Sequence, residues 1–418
     1  MSELRTNSIK FKYDKKFSIN LLLFFMLIYM MFPSNFSALK LFLSFVLSFM
    51  GLVNIVNTKY LYRSKLFLGV IAFLIISTLY FLLGLTNGFS LDGAILRVYL
   101  LQPIVIYLIS TFITDTEGFK YFFTGIQNIT TIILIYDLLF MLGNIGVIPQ
   151  LIFWEEGLAI VDENFLSVRL GNMNSLMFLL PMEIFTLLNF DNHGKQTTFN
   201  NIIGFLVILL SGRRALQIIY ILALLISLTY AILIKKTTIK SFLTSILKVL
   251  GILGGLFGAI YLLNSILGYD NIFSVVFKTI SDAFDSGSVG KGVRDTQTEV
   301  LLKEWKSAPI FGKGLQAFVP YYLRSHTTKW SYENFYYAFL YQTGIVGFTF
   351  YGIYIINIFK NIFINIMKTT NYKMEVSYMS VGLGFLSYLL ASSSNPMMLS
   401  IWPWIIVVIA CDLNLKER

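Results

Sequence analysis

Two adjacent arginines close the motif Ser211-Gly212-Arg213-Arg214, and four more, Arg97, Arg169, Arg294 and Arg324, stand in or between the apolar runs. A guanidinium is a planar fork of donors that stays charged and grips phosphate or carboxylate through two bonds at once. Such groups in number point to a polyanionic ligand. Arg213, Gln217 and Tyr220 follow at i, i+4 and i+7, so on a helix they form one polar stripe directed into a bundle. Two acids could neutralise an arginine or accept a proton: Asp137, deep in an apolar run, and Glu333, beside the start of another. His326 is the rival base, with Asp295 and Glu299 behind it. The single cysteine, Cys411, excludes an intramolecular disulfide, and with only His193 and His326 beside it the usual zinc ligand set is missing. No protein-bound metal or cofactor is expected.

The elements that must position these residues are membrane helices. The chain has 418 residues, of which 56% are hydrophobic and 16% aromatic, and only 13% are charged. A soluble domain carries about twice that charge, and the mean hydropathy is +0.72. Lipid is therefore the solvent. The net charge of +10 fits cytosolic loops and anionic headgroups better than nucleic acid. The basic N-terminus (Arg5, Lys10, Lys12, Lys15, Lys16) leads into an apolar run with no small-residue cleavage site, which reads as a retained first helix.

Crossing ~30 Å of hydrocarbon takes about 20 mostly apolar residues. Twelve segments answer: 17–32, 38–55, 66–85, 94–113, 121–142, 170–190, 202–210, 215–234, 242–267, 335–359, 378–390 and 397–411. The seventh is too short to span alone, and the last two could form a hairpin that only partly crosses. The expected fold is all-α, one polytopic domain over 1–418 with about 12 spans and a large external loop, 268–334, between helices 9 and 10. With the N-terminus inside, 19 of the 32 basic residues fall on the cytosolic side, as lysine and arginine bias requires.

Within that topology arginine goes outward. Six of the nine arginines lie on or near the outer face, whereas 16 of the 23 lysines lie inside. The bias rule treats both types alike, so the outward arginines need another cause. With nine clear apolar residues, the seventh helix would cover ~14 Å at 1.5 Å per residue, which predicts a basic turn sunk below the headgroups. Asp137 is a plausible counter-ion for it. The competing reading is that these arginines snorkel or pair with Glu155, Glu156, Asp162 and Glu163.

The same residues resemble a family. Ser211-Gly212-Arg213-Arg214-Ala215-Leu216 is similar to the Ser/Thr-Gly-x-Arg-Gly-Ala turn of bacterial O-antigen polymerases and ligases, with Arg214 on the motif arginine. Arg169-Leu170-Gly171-Asn172-Met173-Asn174 is similar to the Arg-x-x-Gly…Asn stretch that opens their mid-chain helix. Arg294, Trp305, Pro309-Ile310-Phe311-Gly312-Lys313-Gly314-Leu315, Glu333-Asn334-Phe335 and Thr343-Gly344-Ile345-Val346-Gly347 recur in family order, so the likeness covers 169–347. The departures are Glu333 where ligases carry histidine, which favours polymerase, Arg213 where the motif is often small, and Met173 where it is often proline.

The resemblance implies a GT-C-like glycosyltransferase bundle in the bacterial cytoplasmic membrane, with its site facing the periplasm or exterior. Its substrates would be oligosaccharide repeat units on undecaprenyl diphosphate, and a polysaccharide chain-length regulator is a possible partner. The expected reaction moves the growing glycan from its lipid diphosphate to the non-reducing end of a new unit. Arg214 and Arg294 would clamp the diphosphate, and Glu333 would act as base on the acceptor hydroxyl. Arg97, Arg169, Arg213, Gln217, Tyr220, His326 and Asn334 would contact substrate. The alternatives are a ligase that transfers the glycan to lipid A core and, in another class, a lipid-linked oligosaccharide flippase, which needs polar groups through both halves of the bundle. The inner half offers only Glu183 and the helix-end Lys248.

Overall fold

The computed structural model describes residues 14–58, 65–144, 148–151, 160–162, 167–189, 194–234 and 291–412, with isolated positions between 244 and 265. Helices α1 (Lys15–Met31), α2 (Ser37–Thr58) and α3 (Lys65–Thr86) are followed by α4, which joins Gly93–Leu96 and Gln102–Ser110 through a π-helical turn at Arg97–Leu101. Next come α5 (Thr116–Asn144), an antiparallel hairpin of β1 (Ile160–Asp162) and β2 (Ser167–Arg169), α6 (Met173–Asn189), α7 (Lys195–Ser211) and α8 (Arg214–Thr229). The chain resumes with α9 (Lys291–Trp305), α10 (Phe335–Lys368), α11 (Tyr372–Ala391) and α12 (Ile401–Asp412). Apart from the short hairpin, the described fold is helical.

Seven of these helices are long and apolar enough to cross a membrane, while Met173–Asn189 and Ile401–Cys411 are apolar but shorter. The chain is a helical membrane protein. The expected ninth span, 242–267, lies outside the described residues except at isolated positions. Lipid-facing surface is plain on α2, where Leu41, Phe42, Phe45, Phe49, Leu52 and Val56 are exposed on successive turns. A row of large apolar groups turned outward costs nothing when the surroundings are acyl chains. At the other extreme α6 is buried along its length, the pattern of a helix surrounded by others. It packs against α11, α8 and α7 and forms the axis of the bundle.

Beside the helices stands one short antiparallel hairpin, 160–162 paired with 167–169 and Ile160 opposite Arg169. One expectation is corrected. The seventh helix begins at Lys195 and runs 17 residues, about 25 Å at 1.5 Å per residue, so its brevity no longer sinks the turn that follows. Its polar first half stays helical because Gln196 donates to Asn128 (2.7 Å) and Asn200 accepts from Thr131 (2.7 Å), both partners on α5. Hydropathy cannot see polar residues that are matched across a helix pair. The eleventh helix has 20 residues and is long enough to cross, as its place among the twelve segments requires.

Candidate functional site

The Ser211-to-Arg214 turn is built by a glycine and a cap. Gly212 closes α7 in the left-handed conformation (φ 55°) and Arg213 starts α8 from extended backbone, the arrangement that favours glycine after a helix end. Arg213 then reaches across to the start of α6, where its Nη1 donates to Asn174 Oδ1 (2.5 Å) and its Nη2 to the Leu170 carbonyl (2.8 Å). Its role is to tie two helix starts together. Arg214, in the first turn of α8, is half-buried and has no hydrogen-bond or ion-pair partner among the described residues. Asp137 is fully buried, accepts from Asn172 Nδ2 (2.5 Å), and stands within electrostatic reach of the Arg213 guanidinium with no direct ion pair to it among the described residues. Its Oδ2 has no partner. Gln217 and Tyr220 point inward as the stripe requires, and Tyr220 donates to Asn201 of α7 (3.3 Å).

A second assembly forms around a break in α10. Gly344 takes φ 61° and ψ −173° inside the helix, which frees the carbonyls of Tyr341 and Gln342 and the amides of Ile345 and Val346 from their helical partners. The segment 309–314 satisfies all four. Lys313 N donates to Tyr341 O (3.2 Å) and Gly314 N to Gln342 O (2.8 Å), while Ile345 N donates to Pro309 O (2.9 Å) and Val346 N to Ile310 O (3.0 Å). The Pro309-to-Leu315 and Thr343-to-Gly347 motifs are thus two halves of one backbone joint. Gln316 fixes the joint to α3 through the Phe81 carbonyl (3.0 Å), and Trp330 fixes the later loop to Asp92 at the start of α4 (2.6 Å). Tyr332 accepts from Val319 N (2.8 Å) and donates to Tyr322 O (3.2 Å). Burial pushes its hydroxyl up to about 12, so it remains a donor at any physiological pH.

That scaffold presents Glu333 to two arginines. Arg294 Nε on α9 lies 3.2 Å from one carboxylate oxygen and Arg324 Nε 3.4 Å from the other. The acid is therefore engaged rather than free to act as a base, and Arg324, one of the six outward arginines, shares it. One carboxylate between two guanidiniums leaves a net positive charge. Asn334 is buried and structural: its Nδ2 donates to Arg294 O (2.8 Å) and Thr298 Oγ1 (2.6 Å), and its backbone N donates to Gln297 Oε1 (2.7 Å). These bonds hold α9 against the start of α10. His326 stands exposed.

Beside this cluster, an apolar cavity of about 140 Å³ lies between α3, α4, α10 and α12, walled by Val98, Tyr99, Pro103, Phe335, Phe339 and Trp404. Val98 follows Arg97, which is exposed in the π-helical turn, and Phe335 stands two residues after Glu333. Arg169 ends β2 just ahead of α6, and β2 lies against α7. Its side chain, like Glu155, Glu156, Asp162 and Glu163, lies outside the described side chains. Two basic groupings result, Arg213 with Arg214 at the head of α8 and Arg294 with Arg324 on the loop. No described contact joins them to each other or to Arg97.

Sequence reasoning missed the polar cluster between α5, α6 and α7, where Asn200 and Gln127 meet Glu183 and are bonded in turn to Thr131 and Thr197. The signal was present in the run Lys-Gln-Thr-Thr-Phe-Asn-Asn at 195–201, which no apolar window selects. Taken together, the fold and site define a helical membrane protein with arginine clusters at helix ends and an apolar cavity beside one of them. No family model, no curated protein and no solved structure matches the chain.

Proposed function

We propose that this protein is a membrane-embedded glycosyltransferase that polymerises oligosaccharide repeat units carried on a polyprenyl diphosphate at the outer face of the bacterial cytoplasmic membrane. On this reading the twelve-span, GT-C-like plan holds over the whole chain. The observation that carries it is the Arg294–Glu333–Arg324 cluster, cationic on balance, set two residues from the wall of an apolar cavity. An isoprenoid diphosphate has the matching halves, a polyanion on an apolar tail. As the glycosidic bond breaks, negative charge grows on the diphosphate oxygen, and cations already aimed there stabilise the transition state. Arg214, half-buried and without a described partner, is the second cation of the clamp, while Arg213 positions it. Glu333 accepts the proton of the attacking hydroxyl only after incoming phosphate has drawn the two arginines away.

The resemblance over 169–347 and the absence of histidine before Asn334 support transfer to another repeat unit over transfer to lipid A core. Deletion and complementation, with surface glycan resolved by gel, tests the reading. Wild type restores long chains, Arg214→Lys and Glu333→Gln leave one repeat unit per anchor with normal insertion, and Arg213→Lys retains partial length. Loss of all glycan from the acceptor would assign a ligase, and accumulation of lipid-linked units on the cytosolic side a flippase.

A further inference from the structure

Glu183 is fully buried on α6, the helix at the bundle's axis, six residues before the end at Asn189. One carboxyl oxygen accepts from Asn200 Nδ2 (3.1 Å), and the other, Oε2, has no hydrogen-bond partner. Gln127 of α5 is its second polar neighbour. An ionised carboxylate held in a bundle core by neutral amides alone, with one oxygen bare among the described residues, is strongly disfavoured unless a cation or a proton accompanies it.

Among the described residues no cation does so. The polar groups that meet Glu183 are the amides of Gln127 on α5 and Asn200 on α7, and the helices packed on α6 also bury uncharged polar side chains: Thr130 on α5, Thr197 and Asn201 on α7, Gln217 and Tyr220 on α8, and Tyr378 and Tyr388 on α11. Their charged residues stand elsewhere. Glu117 and Lys120 on α5, Lys195 on α7, Arg214 on α8, and Lys373 and Glu375 on α11 are at helix ends, Asp137 is bonded to Asn172, and Glu375 accepts from Tyr230. None of them forms an ion pair with Glu183 among the described residues. A metal cation would want several oxygens, yet Asn200 offers Glu183 its nitrogen, and its own oxygen accepts from Thr131 (2.7 Å).

We propose that Glu183 is a proton-binding site within the membrane bundle, neutral at pH 7, with its proton on Oε2 and exchangeable with bulk water through the surrounding amides and hydroxyls. Thr131, Asn200, Gln196 and Asn128 continue the polar contacts from the site along the α5–α7 seam. The site is separate from the arginine clusters and owes nothing to the glycosyltransferase reading.

Infrared difference spectroscopy on the full chain in vesicles tests this directly. The protonated-carboxyl band present in wild type at pH 7 disappears in the near-isosteric Glu183→Gln variant, survives in Asp137→Asn, and shifts on transfer of wild type to heavy water. A hydrophobic carbodiimide, which attacks protonated buried carboxyls, labels Glu183 at pH 7, and the labelling falls as pH rises. Three results would overturn the proposal: no acid band lost in Glu183→Gln, a band that never shifts in heavy water, or labelling that sodium suppresses at constant pH. The wild-type measurements stand even where the variant folds poorly.

Discussion

Arg213 and Arg214 carry the same charge on adjacent residues, and the structure gives them opposite consequences when removed. Arg213 makes two charge-assisted hydrogen bonds, at 2.5 Å to Asn174 and 2.8 Å to the Leu170 carbonyl. Each such bond contributes about 1.5–3 kcal/mol, less where water can replace the lost donor. For a half-buried group bonded twice, Arg213→Ala should cost about 2–3 kcal/mol, a shift on the order of 10² in the folding equilibrium. Arg214 lies in the first turn of α8 with no described partner, where the helix dipole disfavours a cation by about 0.3–1 kcal/mol. Arg214→Ala should therefore be neutral or slightly stabilising. A position that is electrostatically wrong for the fold and still occupied by arginine is what an anion-binding role would leave behind. The assay is unfolding of the detergent-solubilised chain followed by tryptophan fluorescence, run beside titration with a short-chain polyprenyl diphosphate. Equal losses of stability in both variants, or undiminished diphosphate binding by Arg214→Ala, would refute the division of roles.

Gly314→Ala tests the joint at the α10 break. At φ +104° the new Cβ would stand 2.2 Å from Gly84 Cα and 3.0 Å from the Tyr80 carbonyl, all backbone that cannot step aside, so a loss of about 3 kcal/mol or more is expected and limited proteolysis of the 306–330 loop should accelerate. At the start of α5, Asp115 caps the helix by accepting from Gly118 N (2.7 Å) and pairs with Lys15. Partial burial works against its charge, but the Lys15 ammonium and the Gly118 amide outweigh it and hold the carboxyl below the usual range. Its contribution is therefore present above the unfolded value of about 4 and lost as pH falls through the lower folded value. Asp115→Asn keeps the cap, since asparagine accepts from Gly118 N as well as aspartate does, and should cost about 0.5 kcal/mol near neutrality through the lost pair with Lys15. The deficit should close in strong acid, which unfolding curves at several pH values would read.

What the sequence made legible was decided by which physical signal each element carries. Apolar runs such as 38–55 and 66–85 fell close to α2 and α3 because hydropathy is a property of the residues themselves. The polar half of α7 was not legible, since Gln196 and Asn200 are tolerable in a helix only because Asn128 and Thr131 face them from α5. The same holds for the hairpin before α6, whose strands of three residues carry no periodicity to detect. The order of glycines at 312, 314 and 344 was visible as a motif. Its cause, a loop replacing the hydrogen bonds of a broken helix, needed the fold. That two arginines share Glu333 was not legible, because Arg324 is nine residues away and in no pattern with it.

That shared carboxylate sets the order of events if the site works as proposed. Held by Arg294 on one oxygen and Arg324 on the other, Glu333 is a poor base, since its lone pairs are directed at cations. It is also what keeps two exposed, mutually repelling guanidiniums together while no substrate is bound. A diphosphate carries more charge and more oxygens than the carboxylate, and each arginine uses its Nε on Glu333, leaving the paired Nη groups for bidentate contact. Binding of the donor would then release the acid and create the base in one exchange, so neither the clamp nor the base is complete before the lipid diphosphate arrives. Replacing Glu333 by glutamine separates the two functions: the arginines lose their counter-ion and take up anions more readily, while no group remains to accept the proton of the acceptor hydroxyl. A site in which tighter diphosphate binding accompanies lost chain extension is one where the acid serves both purposes. A site in which both fall together is one where the acid only holds the loop in shape.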